Sequence, residues 1–80
     1  MWSVKPGDLV VARMQKAQRQ KPTGVLMLYD WKTSDYYPWK KGNLGMILEI
    51  ERKTEGAIVM ADGNVGWVSL AVIEVIDEAG

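Results

Sequence analysis

Five of the seven aromatic side chains in this 80-residue chain, Tyr29, Trp31, Tyr36, Tyr37 and Trp39, fall within eleven residues and are interleaved with Lys32, Lys40 and Lys41. Aromatic faces beside cations can stack nucleic-acid bases and hold phosphates, or they can anchor a protein interface. The same rings can instead cap the open end of a small core, covering apolar area that shorter side chains leave exposed. Just upstream, Lys16, Arg19 and Lys21 lie in a polar, basic run over residues 15–23, which reads as a solvated loop tip or as a finger that contacts phosphates. The candidate binding residues, for protein or nucleic acid, are therefore Tyr29, Trp31, Tyr36, Tyr37, Trp39, Lys40, Lys41, Lys16, Arg19 and Lys21.

Catalysis finds few groups to use. The chain has no histidine and no cysteine, which removes the usual near-neutral base, the thiol nucleophile and most transition-metal ligands. Glu49 and Glu51 are spaced as same-face neighbours on a strand, a pattern that marks a solvated face far more often than an acid/base pair. No glycine pattern forms a phosphate loop, and Asp62-Gly63-Asn64 lacks the further carboxylates of a calcium loop. The expectation is a protein that is not an enzyme, with no catalytic residue, no metal site, no cofactor and no small-molecule substrate.

The elements that must position the aromatic cluster read as short strands. Apolar and β-branched runs separated by glycine-bearing turns recur at strand spacing, while helical periodicity is weak. Lys5-Pro6-Gly7-Asp8 opens a first strand over residues 9–14, with Val10, Ala12 and Met14 on one face. A second strand is expected over residues 25–31, followed by a loop over 32–43 whose Thr33-Ser34-Asp35 and Pro38 favour turns. Residues 45–52 form the clearest strand, with Met46, Leu48 and Ile50 expected inside and Glu49 and Glu51 in solvent. Strands over 57–61 and 65–69 flank Asp62-Gly63, a strong signal for a tight hairpin turn. A 3₁₀ turn near residues 69–71 then leads into a closing strand over 73–76. By alternation Val68 is the core residue, so the Trp67 indole is expected to cover the outside or mouth of the fold.

Length and composition set the frame. One domain is expected over residues 1–80, because so short a chain buries only about two-thirds of the surface its unfolded form exposes and cannot divide that core. Apolar runs at residues 25–29 and 57–61 are far too short to span a bilayer, and no apolar stretch of signal length follows Met1. A soluble, cytoplasmic protein with no membrane partner is expected. The formal net charge is zero, yet residues 13–41 carry seven cations against two carboxylates (+5) and residues 42–80 carry two cations against seven carboxylates (−5). If the two halves occupy different faces, the basic one can meet nucleic acid or the acidic face of another copy. Alternating strands would instead mix both signs over one surface.

The run Gly63-Asn64-Val65-Gly66-Trp67-Val68-Ser69-Leu70-Ala71-Val72-Ile73-Glu74-Val75-Ile76 resembles the end of an SH3 domain, in which a glycine-led strand passes through one 3₁₀ turn to a closing strand. Met27-Leu28-Tyr29-Asp30-Trp31 resembles the Ala-Leu-Tyr-Asp-Tyr strand of those domains, and Lys40-Lys41-Gly42-Asn43 their Lys-Lys-Gly-Asp step. Three departures count against a proline-rich-peptide binder: Ser69 stands where a proline is expected, Val72 where a groove tyrosine is, and no tryptophan begins the strand at Ala57. That register would also bury Gly45 and Ile47, one residue out of phase with Met46, Leu48 and Ile50. A second register takes Lys5-Pro6-Gly7-Asp8-Leu9-Val10-Val11 as the first strand and Gly45-Met46-Ile47-Leu48-Glu49-Ile50 as a later one. In it the chain is similar to small SH3-like barrel proteins encoded by tailed bacteriophages. The resemblance implies an all-β SH3-like barrel of five to six short antiparallel strands, with a long loop insertion at residues 14–43, and a phage or bacterial origin.

Together these features lead to the expectation of a non-catalytic binding or assembly module, a phage-encoded structural or accessory protein acting in the host cytoplasm or the virion. It would dock on another protein, or on a further copy of itself, through its long basic and aromatic loop. The alternative is a nucleic-acid-binding barrel similar to KOW or Tudor-like modules, with the lysines and Arg19 on phosphates and Trp31, Tyr37 or Trp39 stacking.

Overall fold

The computed structural model describes residues 4–13, 25–40 and 42–77. The strands are β1 (Leu9–Ala12), β2 (Val25–Asp30), β3 (Asp35–Lys40), β4 (Gly45–Glu51), β5 (Gly56–Ala61), β6 (Asn64–Ser69) and β7 (Ile73–Asp77). A 3₁₀ turn at Leu70–Val72 precedes β7, started by Ser69, whose hydroxyl accepts from the Ala71 N–H at 3.2 Å. All pairings are antiparallel, and the strands make one sheet in the order β3-β2-β6-β5-β4-β1-β7, curled into a half-barrel. Among the described residues no helix is long and apolar enough to cross a membrane.

The expected all-β architecture is present, but with seven strands among the described residues rather than five to six. The additional strand is β3. Residues 32–43, expected as a loop within a long insertion over 14–43, instead turn back at 31–34 and pair with β2 along six residues, from Asp30↔Asp35 to Val25↔Lys40. The run Tyr36-Tyr37-Pro38-Trp39 is dense in aromatic residues that suit a pleated, half-buried surface, and this outweighs the turn-forming character of Pro38. Proline is tolerated there because β3 ends the sheet.

The middle strand reconciles the two competing phases. Val59 faces Ile47 and Ala57 faces Ile50 across β4–β5, although the two isoleucines are three residues apart, because a β-bulge interrupts the register between Ile47 and Glu49. One extra residue shifts the alternation by one. Before the bulge Gly45 and Ile47 are buried, and after it Ile50 packs against the core while Glu49 points outward. The expectation that Met46, Leu48 and Ile50 share the inner face is therefore right for Ile50 alone: Met46 is only half-buried and pairs with the exposed Met60, and Leu48, in the bulge, is 43 % exposed.

The turns follow from their residues. Asp62 (φ 51°) and Gly63 (φ 79°) form the two-residue turn of the β5–β6 hairpin, whose positive φ pair matches the strand twist. The Asp8 N–H donates to the Lys5 carbonyl at 3.2 Å across Pro6-Gly7, and the buried Asp8 carboxylate accepts from the Lys5 N–H at 3.0 Å. Val10, Leu28, Trp39, Ile47 and Val59 form the fully buried centre of the core, joined by Ala12, Ala57, Val68, Leu70 and Ile73. Val10, Ala12 and Val68 take the inward positions expected of them; Met14 lies outside the described residues. Leu28 and Trp39, both in the segment expected as a long insertion over 14–43, are thus part of the core.

Candidate functional site

Strand alternation divides the aromatic cluster in two. Cross-strand pairs of the β2–β3 hairpin share a face, so the pairs Leu26↔Trp39 and Leu28↔Tyr37 point into the half-barrel, whereas Tyr29↔Tyr36 and Met27↔Pro38 point away from it. Trp39 is completely buried and its indole N–H donates to the Asn43 carbonyl at 2.9 Å; Tyr37 is half-buried against the core. Both were candidates for stacking or docking; Trp39 is part of the core and Tyr37 packs against it, as in the alternative reading of these rings as cover for a small core. On the outer face the Tyr29 and Tyr36 ring centroids lie 5.0 Å apart at 42°, a tilted contact of the kind aromatic pairs favour. Tyr36 is 60 % exposed, and Trp31, in the following turn, is 49 % exposed.

A fourth ring completes this surface. Tyr29 of β2 pairs with Trp67 of β6, the register that joins the hairpin to the rest of the sheet. The approach is close: a Cβ on Gly66 would stand 2.8 Å from the Leu28 Cβ and 3.0 Å from the Tyr29 backbone, so the glycine lets the two strands meet. Trp67 covers Gly56, where any side chain would collide with its indole. The indole N–H donates to the Thr54 hydroxyl at 3.1 Å, and that hydroxyl in turn lies 3.4 Å from the Glu51 carbonyl as donor. Trp67 thus has the covering role expected for it, and pairing with β2 also brings it into the aromatic surface. Alternation marked it as outward-facing, but nothing in the sequence indicated that β2 would pair with β6.

Three hollows meet at Tyr29. One of about 420 Å³ is lined by Tyr29, Trp31, Trp67, Glu51 and Thr54. A second, of about 340 Å³, continues past Trp31 to Glu49, Lys32, Ile58 and Val65. A third, of about 300 Å³, runs from Tyr29 and Tyr36 to Val68, Ser69 and Val72. The carboxylates enter because the bulge sets Glu49 and Glu51 on the outer face of β4, opposite Ile58 and Gly56.

Of the described cations expected beside the rings, Lys32 lines the second hollow and Lys40 lies apart. Lys40 pairs with Val25 at the far end of the hairpin, five residue steps or about 17 Å from the Asp30↔Asp35 pair beside the turn that holds Trp31. Its backbone N–H donates to the Asp62 carboxylate at 2.9 Å, and the other carboxylate oxygen accepts from the Asn43 amide at 2.7 Å. These hydrogen bonds, the Lys40 one foremost and aided by the Lys40 charge, hold the Asp62 carboxyl below the ordinary carboxylate range. Lys16, Arg19, Lys21 and Lys41 lie outside the described residues. The candidate site is therefore Tyr29, Trp31, Tyr36 and Trp67, edged by Glu49, Glu51 and Lys32.

In comparison with known proteins, no family model, no curated protein and no solved structure matches the chain.

Proposed function

We propose that this chain is an SH3-like barrel acting as a non-catalytic binding or assembly module, which docks on a protein partner through the outer face of its β2–β3 hairpin. Support for the fold assignment comes from the order of elements: β1, β4, β5 and β6 follow in turn, a 3₁₀ turn leads into β7 beside β1, and the hairpin is inserted between the first two. A small accessory protein of a tailed phage, in the host cytoplasm or the virion, fits such a module. The observation that carries the binding role is the exposure of Trp31 and Tyr36 beside Tyr29 and Trp67, where three hollows converge. Large rings held on a rigid sheet provide anchor area with little conformational entropy left to lose.

The partner is another protein or a second copy of the chain. Nucleic acid is the weaker alternative, since phosphates brought to these rings would meet Glu49 and Glu51. The test is affinity capture from the native host with the intact protein and with a Trp31→Ser/Tyr36→Ser variant, alongside sedimentation of both. A partner, or a self-associated species, held by the parent and released by the variant is the expected result. Equal retention by the two would sink the proposal.

A further inference from the structure

We infer that the hollow between Tyr29, Trp31 and Trp67 is a cation-selective site that receives a lysine or arginine side chain of the docked protein. The inference rests on the docking role proposed above and adds the chemistry of what is recognised. Among the described residues, three aromatic residues and one carboxylate, Glu51, line a single concavity of about 420 Å³, with Thr54 as the only other contributor and no cation in its wall. Ring faces carry negative quadrupole potential and attract ammonium and guanidinium groups, and a carboxylate at the same wall adds a full charge of the same sign. An apolar side chain would gain from the rings but would have to strip water from Glu51, so the composition of the wall favours a cation over a neutral occupant.

The wall is also fixed before any ligand arrives. Trp67 is held by its hydrogen bond to Thr54 and by its seat over Gly56; Thr54 bonds back to the Glu51 backbone. Tyr29 is held by the β2–β6 pairing on one side and by the Tyr36 ring on the other. Trp31 stands in the β2–β3 turn. Lys32 lines the neighbouring hollow together with Glu49, and so stands outside this wall.

The experiment titrates the intact protein with choline and, separately, with its neutral isostere 3,3-dimethylbutan-1-ol, following the four tryptophan indole N–H resonances by NMR. Choline is expected to move the Trp31 and Trp67 signals saturably at millimolar concentration and to leave buried Trp39 unmoved, with the isostere binding roughly fivefold more weakly. Glu51→Gln should reduce choline affinity by a similar factor without changing that for the isostere. A peptide carrying lysine should likewise outcompete the same peptide with norleucine. Equal binding of choline and its isostere, or choline shifts confined to other residues, would overturn the inference. That outcome would leave the docking surface intact, whereas retention of the partner by the Trp31→Ser/Tyr36→Ser variant removes the surface itself.

Discussion

Trp31 and Trp39 belong to the same hairpin, yet one is half exposed and the other is the largest fully buried side chain among the described residues. Trp39→Ala should therefore cost about 3–5 kcal/mol of stability, the penalty of emptying a ring-sized core position. Trp31→Ala should stay within about 0.5 kcal/mol, as surface changes do, and urea denaturation of the two variants measures the contrast directly. Asp62 offers a pH-dependent test. Because its folded pKa is depressed, its contribution is complete above the ordinary carboxylate range and is lost as the pH falls through the lower folded value. Asn tolerates the positive φ of this turn and keeps a neutral acceptor, so Asp62→Asn should lower the urea midpoint at neutral pH. The difference from the parent should close on acidification below that range; a difference that persists there would refute the assignment.

At the level of elements, the bulge in β4 makes neighbouring residues unequal. Ile47→Ala should cost about 2–5 kcal/mol, whereas Leu48→Ser should change stability by no more than about 0.5 kcal/mol, and reversal of that order in denaturant melts would contradict the register. Strand β3 shows how a sheet edge is kept from pairing. N–H groups along a strand point alternately to either side, and the Lys40 N–H goes to Asp62 rather than to β2, so Pro38 and Tyr36 face the same outer edge. Pro38 has no N–H, and that of Lys40 is occupied, which leaves the edge a poor template. A Pro38→Thr/Asp62→Gly variant, in which glycine still satisfies the turn, should form edge-paired oligomers visible by sedimentation at concentrations where the parent shows none of this kind. Much of this architecture was legible beforehand: the Asp62-Gly63 hairpin, β1, β5, β6 and the 3₁₀ turn follow from local chemistry. The bulge was not, because an inserted residue leaves the same composition as an uninterrupted strand and shows itself only through its partner strand. The strand character of β3 was hidden by Pro38, whose tolerance depends on an edge position that a single sequence does not reveal.

Across the whole molecule, the candidate site was only half legible. The sequence placed Tyr29, Trp31 and Tyr36 together by proximity, but it could not separate them from Tyr37 and Trp39 without knowing that the segment is a strand. Nor could it bring in Trp67, Glu49 and Glu51, which arrive through long-range pairing of β2 with β6 and of β4 with β5. The charge asymmetry along the chain is redistributed by folding: Glu49 and Glu51 of the acidic half end up edging the rings of the basic half. If the chain docks on a further copy of itself, this arrangement predicts concentration-dependent species at low ionic strength that dissociate as salt is raised. A monomer under both conditions, at high concentration, would direct the search to a different protein. One consequence follows from the two-sided hairpin. Since one side anchors the scaffold and the other meets the outside, positions 27, 36 and the turn at 31–34 can be varied, by drift or in a combinatorial library, to respecify what is bound while Leu28 and Trp39 keep the chain folding to the same shape.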